Sequence, residues 1–159
     1  MVIIKKKMAG LSQASLRRFA VRAIEAAGIT GKVNVLVTDS RELQELNRRF
    51  RHKNASTDVL SFPAGQQVAH ELAGDIAISA EIAAANARKL GHSPVQEIKI
   101  LILHGVLHLA GYDHERDNGL MARREAHLRR AFKLPAALLE RYAPARQVRV
   151  QRPNKSRGI

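Results

Sequence analysis

Hydrophobic periodicity divides the chain into helix-like and strand-like segments. Over residues 12–28 the apolar positions recur every three or four residues, which predicts a helix. Residues 32–38, 57–62 and 74–79 are short apolar runs with many β-branched side chains, and each predicts a strand. Residues 2–5 are expected to add a fourth strand at the edge of the sheet.

Helical periodicity dominates the second half of the chain. Asp39 or Ser40 can cap a short helix, and longer helices are predicted over residues 80–90, 94–110 and about 117–131. The 94–110 segment is apolar almost all round, which is typical of a central, buried helix. These elements predict an α+β fold, in which a small mixed four-stranded sheet is packed with about five helices.

The length and charge of the chain predict one domain with a polyanionic partner. Its 159 residues suit a single domain, which we assign to residues 1–145. Residues 146–159 contain five basic residues and no acidic one, and we expect a basic, flexible tail there. The chain holds 27 Lys+Arg against 14 Asp+Glu, a formal net charge of +13. Such an excess favours nucleic acid as the partner over a membrane surface or a role in solubility alone.

Features that the sequence lacks narrow the function class further. There is no cysteine, which excludes disulfides, thiolate nucleophiles and cysteine-based zinc or iron–sulfur sites. The N-terminal residues lack the apolar region of a secretory signal, and no stretch approaches the about 20 apolar residues of a membrane span. We therefore expect a cytoplasmic protein without a membrane partner, whose metal sites are built from histidine and carboxylate.

The segment HGVLHLAGYDH, from His104 to His114, has the clearest chemical pattern. His104 and His108 are four residues apart, so on a helix their imidazoles point to the same side. Six residues further on, His114 would lie on the far side of a continuing helix. Gly111 can adopt a positive φ, end the helix and turn the chain back. Three imidazole nitrogens can then converge on one point.

These three histidines predict a metal site with one open coordination position. Three neutral imidazoles favour one zinc ion, with other divalent transition metals as alternatives. The spacing also matches the metzincin protease motif, but Gly105 stands where that motif has its general-base glutamate, which disfavours a protease. Asp113 can orient His114 or hold water, or it can be a carboxylate of the turn, and both interpretations remain open.

The whole string HGVLHLAGYDH resembles the signature of the YbeY-type endoribonucleases, a family of bacterial rRNA maturation factors. TDVLSFP at residues 57–63 and GDI at residues 74–76 continue the resemblance, which covers roughly residues 32–132. It implies a single-strand-specific, metal-dependent ribonuclease that matures rRNA, notably the 3′ end of small-subunit rRNA, and supports ribosome quality control. It also implies that the three histidines hold the metal.

The resemblance further implies an arginine that is tied to activity, just ahead of the TDVLSF strand. The spacing to Thr57 selects Arg51 as the catalytic and substrate-binding residue, with Arg48 and Arg49 close by in the chain. An arginine there can bind a phosphate bidentately and stabilise the charge that develops on its oxygens. Ser61, on the same strand, is a further candidate for substrate contact, the alternative being a strand-end hydrogen bond. The group that transfers the proton is unassigned.

Three hypotheses for the function result. The first is a zinc-dependent endoribonuclease that acts on rRNA and ribosomal particles, with ribosome-associated proteins as further candidate partners. The second is a ribosome-assembly or RNA-binding factor with a structural metal, and the third is a metallohydrolase of another substrate. Structural zinc sites are normally closed by four protein ligands, so a triad without an obvious fourth ligand favours the first hypothesis.

Overall fold

The computed structural model describes residues 1–53, 57–65 and 71–142, and in these residues four strands form one mixed sheet. The strands are β1 (Val2–Ile4), β2 (Lys32–Thr38), β3 (Val59–Pro63) and β4 (Leu72–Ser79). In the order β1-β2-β4-β3, the first three are parallel, whereas β3 runs antiparallel to β4 at the edge. The predicted mixed four-stranded sheet is therefore confirmed.

Six helices lie within the described residues, one more than the pattern predicted. They are α1 (Gln13–Ala26), α2 (Ser40–Arg51), α3 (Ala80–Leu90), α4 (Pro94–Leu109), α5 (Leu120–Ala131) and α6 (Leu138–Tyr142). The additional helix, α6, is too short to produce a helical period in the sequence. Helix α5 begins later than predicted, because Asp117 lies in the turn before it, where its carboxylate accepts hydrogen bonds from the backbone N–H groups of Gly119 and Met121.

Local side-chain hydrogen bonds set the starts of α1, α2 and α4. Ser12 caps α1, and Asp39 rather than Ser40 caps α2. At the start of α4, Ser93 and Gln96 form a capping box around Pro94, whose missing N–H costs nothing in the first turn. The start of the helix that carries two histidines is thus fixed by its own sequence.

Helix α4 packs between the sheet and the other helices, with contacts to β3, β4, α1, α3 and α5. It is buried without interruption from Ile100 to Leu107. At Gly105 it lies against β4 so closely that an added Cβ would be 2.9 Å from Ile76 Cγ2. This contact leaves the histidine-bearing side of α4 facing the antiparallel edge strand β3.

One main cluster forms the core, and its buried apolar residues come from β1, β2, β4 and from helices α1, α3, α4, α5 and α6.

The predicted basic tail, residues 146–159, lies outside the described residues, as do residues 143–145 of the predicted domain. Among the helices that the structure describes, none has both the length and the apolar character needed to cross a membrane.

Candidate metal centre

The first two histidines lie one turn apart on the buried helix α4 and face each other. The Nε2 atoms of His104 and His108 are 3.1 Å apart, and the ring centroids are 4.7 Å apart. His104 is buried, with 6% of its surface exposed, whereas His108 is half-buried and borders solvent. The helix therefore delivers two imidazole nitrogens to one point at its surface, as the four-residue spacing predicted.

A glycine turn brings the third histidine to the same point. Gly111 has a φ of 98°, which costs a glycine little, and the Tyr112 N–H donates back to the Leu107 carbonyl at 3.1 Å. The chain reverses after this turn, so that the His114 ring lies 5.1 Å from the His108 ring. The three donor atoms all lie within 4.8 Å of one another.

Each helix-borne histidine is oriented by a hydrogen bond at its other ring nitrogen. His108 Nδ1–H donates to the carbonyl of Tyr112 at 3.1 Å, and His104 Nδ1–H donates to the Glu125 carboxylate at 2.8 Å. The lone pair is then left on Nε2, the atom that faces the shared point. Outer partners of this kind fix the tautomer and ring orientation of metal-binding histidines.

Electrostatics keep His108 neutral and ready to bind a cation. Burial, then electrostatic interaction with His104 and His114, and finally Arg51 lower the pKa of His108 from 6.5 to about 4, against the opposing effect of the Tyr112 carbonyl. At neutral pH the imidazole is therefore unprotonated. With the third imidazole of His114 beside them, the two Nε2 atoms form a donor set that fits a metal ion.

The separation of the two helix-borne donors also suits zinc and ions of similar size. Two nitrogens that each lie about 2.0–2.1 Å from a tetrahedral zinc are about 3.3 Å apart, close to the observed Nε2 separation of 3.1 Å. Within the described ranges, His104, His108 and His114 are the one group of potential ligands close enough to share an ion. Asp113 accepts a hydrogen bond from the Glu115 N–H at 3.1 Å, which is the turn role weighed for it in the sequence.

Arg51 borders the open side of the histidine cluster. It lines a cavity of about 180 Å³ together with β3, His104 and His108, and also a wider one of about 470 Å³ beside His108 and His114. Its guanidinium donates from Nη2 to the Ser61 carbonyl and lies 5.7 Å from the centre of the Phe62 ring. The end of α2 thus places a fixed cation next to the three imidazoles.

The two neighbouring arginines of α2 point to other partners. Arg48 forms an ion pair with Glu45, and the Arg49 guanidinium lies 5.5 Å from the centre of the Phe50 ring. Neither belongs to the described residues that line the two cavities. Of the three arginines in this segment, Arg51 is the one that lines the cavities beside the histidines.

Ser61 also lies at the site, although its hydroxyl already has a partner. It is 8% exposed, lines the smaller cavity and donates from Oγ to the Gly105 carbonyl at 3.4 Å. This bond joins β3 to α4 and is compatible with a structural role.

Burial raises the pKa of Asp58, which precedes β3, so that its carboxyl is harder to ionise than an exposed one.

The close contact at Gly105 disfavours a metzincin-type glutamate at this position. A side chain here would begin 2.9 Å from Ile76 Cγ2, so its neighbours would have to shift to admit it. The packing of α4 on β4 therefore favours glycine here.

Sequence analysis missed Glu125, the carboxylate that orients His104. Glu125 lies 21 residues after His104 and is fully buried on the inner side of α5, between Met121 and Leu128. The sequence feature that could have identified it is a glutamate at a core position of an amphipathic helix. Such a residue needs a buried partner, but the pattern does not say which one.

Comparison with known proteins gives consistent matches over most of the chain. The profile of the family described as "Endoribonuclease YbeY" matches residues 3–133. A protein named Endoribonuclease YbeY from Koribacter versatilis is 59% identical over 141 residues, which cover 89% of this chain and 91% of that protein. Another of that name from Solibacter usitatus is 45% identical over 140 residues, or 88% and 92% of the two chains.

A solved structure shares the fold. The solution structure of a Thermotoga maritima protein superposes with a TM-score of 0.55 at 26% identity, and covers 84% of this chain and 92% of its own. The family match extends from β1 into the turn after α5 and contains the three histidines and Arg51. The resemblance first seen in HGVLHLAGYDH is therefore confirmed, and the chain belongs to the YbeY endoribonuclease family.

Proposed function

We propose that this protein is a single-strand-specific, zinc-dependent endoribonuclease that matures rRNA in the cytoplasm, including the 3′ end of small-subunit rRNA, and supports ribosome quality control. Relatives that are up to 59% identical carry the name endoribonuclease. The observation that carries the proposal is the convergence of three imidazole donors beside the guanidinium of Arg51. Ribosomal particles and their associated proteins are the partners that such a role requires.

The protein's own residues divide the work between metal binding and phosphate binding. His104, His108 and His114 hold the ion, and three protein ligands leave a position open for chemistry. When bound, zinc supplies a Lewis acid that polarises a phosphate oxygen and makes an attacking hydroxyl group more acidic. Arg51 binds the phosphate and stabilises the charge that grows on its oxygens in the transition state.

The nucleophile can be water or the 2′-hydroxyl of the RNA, because no carboxylate occupies the metzincin base position. Attack by the 2′-hydroxyl leaves a 2′,3′-cyclic phosphate, whereas attack by water does not. A single 2′-deoxy nucleotide at the cleavage position blocks only the first route. The end groups of the products therefore identify the nucleophile.

The test is cleavage of single-stranded rRNA fragments by the full chain, before and after zinc is removed with a chelator. We expect cleavage by the zinc-loaded protein, none by the stripped protein, and recovery when zinc is restored. The same fragment annealed to a complementary strand should resist cleavage. If binding of RNA persists but no condition yields cleavage, the chain is instead an RNA-binding assembly factor with a structural metal.

The basic tail is expected to act as an electrostatic tether for RNA. Deleting residues 146–159 removes five positive charges. We expect weaker RNA binding and a flatter dependence of affinity on salt, because each cation that contacts a single strand contributes about 0.7 to the salt slope. Zinc affinity should not change. Binding measured at several salt concentrations checks this, and an unaltered slope would leave the tail without an electrostatic role.

A further inference from the structure

Glu125 is fully buried beside His104, and each of its oxygens has its own hydrogen-bond partner. Oε2 lies 2.8 Å from His104 Nδ1, and Oε1 accepts the backbone N–H of Leu139 at 2.9 Å. The histidine belongs to α4, the glutamate to α5 and the leucine to α6. Three helices therefore meet at one carboxylate, which can satisfy both partners only if both are donors.

The contact with Glu125 selects the tautomer of His104 that can bind a metal. An ionised carboxylate only accepts hydrogen bonds, so Nδ1 of the histidine carries the proton and Nε2 keeps its lone pair. That lone pair faces Nε2 of His108 at 3.1 Å. The opposite tautomer would place N–H on Nε2 and remove one of the three metal donors.

Helix α6 is held against this part of the molecule by a buried ion pair. Arg141 donates from Nη1 and Nη2 to the two oxygens of Glu97, at 2.7 and 2.9 Å. Glu97 is itself fully buried in the first turn of α4 and also binds His92 Nε2 at 2.6 Å. A bidentate arginine–carboxylate pair has a defined geometry. It therefore holds α6 where the Leu139 N–H meets Glu125.

We propose that Glu125 is a positioning residue for the metal ligand His104, and that through it the docking of α6 and metal binding at the triad stabilise each other. The family profile ends at residue 133, whereas α6 begins at Leu138, so the coupling involves a segment outside the residues that the profile matches. The inference rests on the metal dependence in the proposed function. Because coupling is reciprocal, a docked α6 raises metal affinity to the extent that bound metal stabilises α6.

The first test replaces the carboxylate by an amide in the full chain. In Glu125→Gln an NH2 group replaces one carboxylate oxygen, so either His104 Nδ1–H or the Leu139 N–H faces a donor instead of an acceptor. We expect zinc affinity, measured by competition with a chromophoric chelator, to fall about 10–100-fold. Urea unfolding of the metal-free variant separates this loss from any loss of folding.

Glu140→Gln is the matched control, because it makes the same chemical change at the same pair of helices. Glu140 binds Arg129 at 2.7 and 2.9 Å and has no contact with the histidines. Because this pair also joins α5 to α6, we expect zinc affinity to fall in Glu140→Gln, but by much less than in Glu125→Gln, where the contact to His104 is lost as well. Unchanged affinity in Glu125→Gln, or an equal loss in both variants, would overturn the positioning role. If the unsubstituted chain binds no zinc, the metal dependence itself fails, and the coupling fails with it.

The second test needs no substitution and reads the coupling directly. Amide hydrogen exchange is followed with and without zinc for α6 and, as a reference, for α3 (Ala80–Leu90), which also packs on α4. We expect zinc to slow exchange more in α6 than in α3, and this excess to disappear in Glu125→Gln. Equal protection of the two helices would show stabilisation of the whole domain alone and would overturn the coupling.

Discussion

Arg51→Ala is expected to lower the rate of RNA cleavage by about 10²–10³-fold, the usual loss when one donor to a developing oxyanion is removed. The reason is positional: the guanidinium is held by the Ser61 carbonyl and the Phe62 ring at the mouth of both cavities beside the histidines. Its charge is also close enough to lower the pKa of His108. Single-turnover cleavage of a single-stranded fragment, with zinc affinity measured in parallel, checks this expectation.

Two further variants test whether the loss of activity is specific to the guanidinium of Arg51. Arg49→Ala removes an equal charge from the same helix end, where the guanidinium lies against the Phe50 ring instead, and we expect only a small change in rate. Arg51→Lys keeps the charge but loses the planar, bidentate fork, and we expect incomplete activity. Equal losses in Arg49→Ala and Arg51→Ala would assign the effect to general RNA attraction rather than to a phosphate contact beside the metal.

His114→Ala is expected to abolish detectable cleavage by removing a metal ligand without unfolding the protein. Loss of an outer hydrogen-bond partner already weakens metal binding about 10–100-fold, and loss of a direct ligand should exceed this. His114 is exposed in the turn after α4, so its truncation opens no cavity and should change the free energy of unfolding of the metal-free protein by less than about 0.5 kcal/mol. Zinc titration, urea unfolding and RNA cleavage are measured on the same preparation.

His127→Ala provides a matched control, because His127 is also an exposed histidine but lies on α5 outside the cluster. We expect it to bind zinc and to cleave RNA like the unsubstituted chain. Full cleavage by His114→Ala would contradict the catalytic role of the triad and would point to a contaminating nuclease. Zinc affinity that survives the substitution would instead show that His114 is not a ligand.

Much of the fold could be predicted because its signals are local. The bounds of β2 and α3 agree with the periodicity of the sequence, and Asp39 caps α2 as one of two candidates. Hydrophobic period, capping side chains and helix-ending glycines act over a few residues, so the printed sequence contains them in full. Helix α6 escaped prediction because its stability comes from Leu138 in the core and from the Arg141–Glu97 pair, contacts with distant residues.

His92, which lies outside the cluster, shows the same limit of prediction from local sequence. Without a partner at metal-ligand spacing, His92 would be expected at the surface. Its side chain is in fact 8% exposed and binds Glu97, five residues further on, which Arg141 of α6 also holds. Spacing along the chain identified residues that share a helix face, but it carried no information on which helix would cover that face.

The sequence by itself determined the histidine triad, because a four-residue helical spacing and the turn at Gly111 bring His104, His108 and His114 together through local geometry alone. Only the tertiary structure decided which carboxylate orients His104 and which of three neighbouring arginines faces the metal centre. Those choices depend on how α2, α5 and α6 pack around α4. Packing joins residues that are far apart in the chain, and the hydrophobic periodicity of a single segment does not specify these contacts.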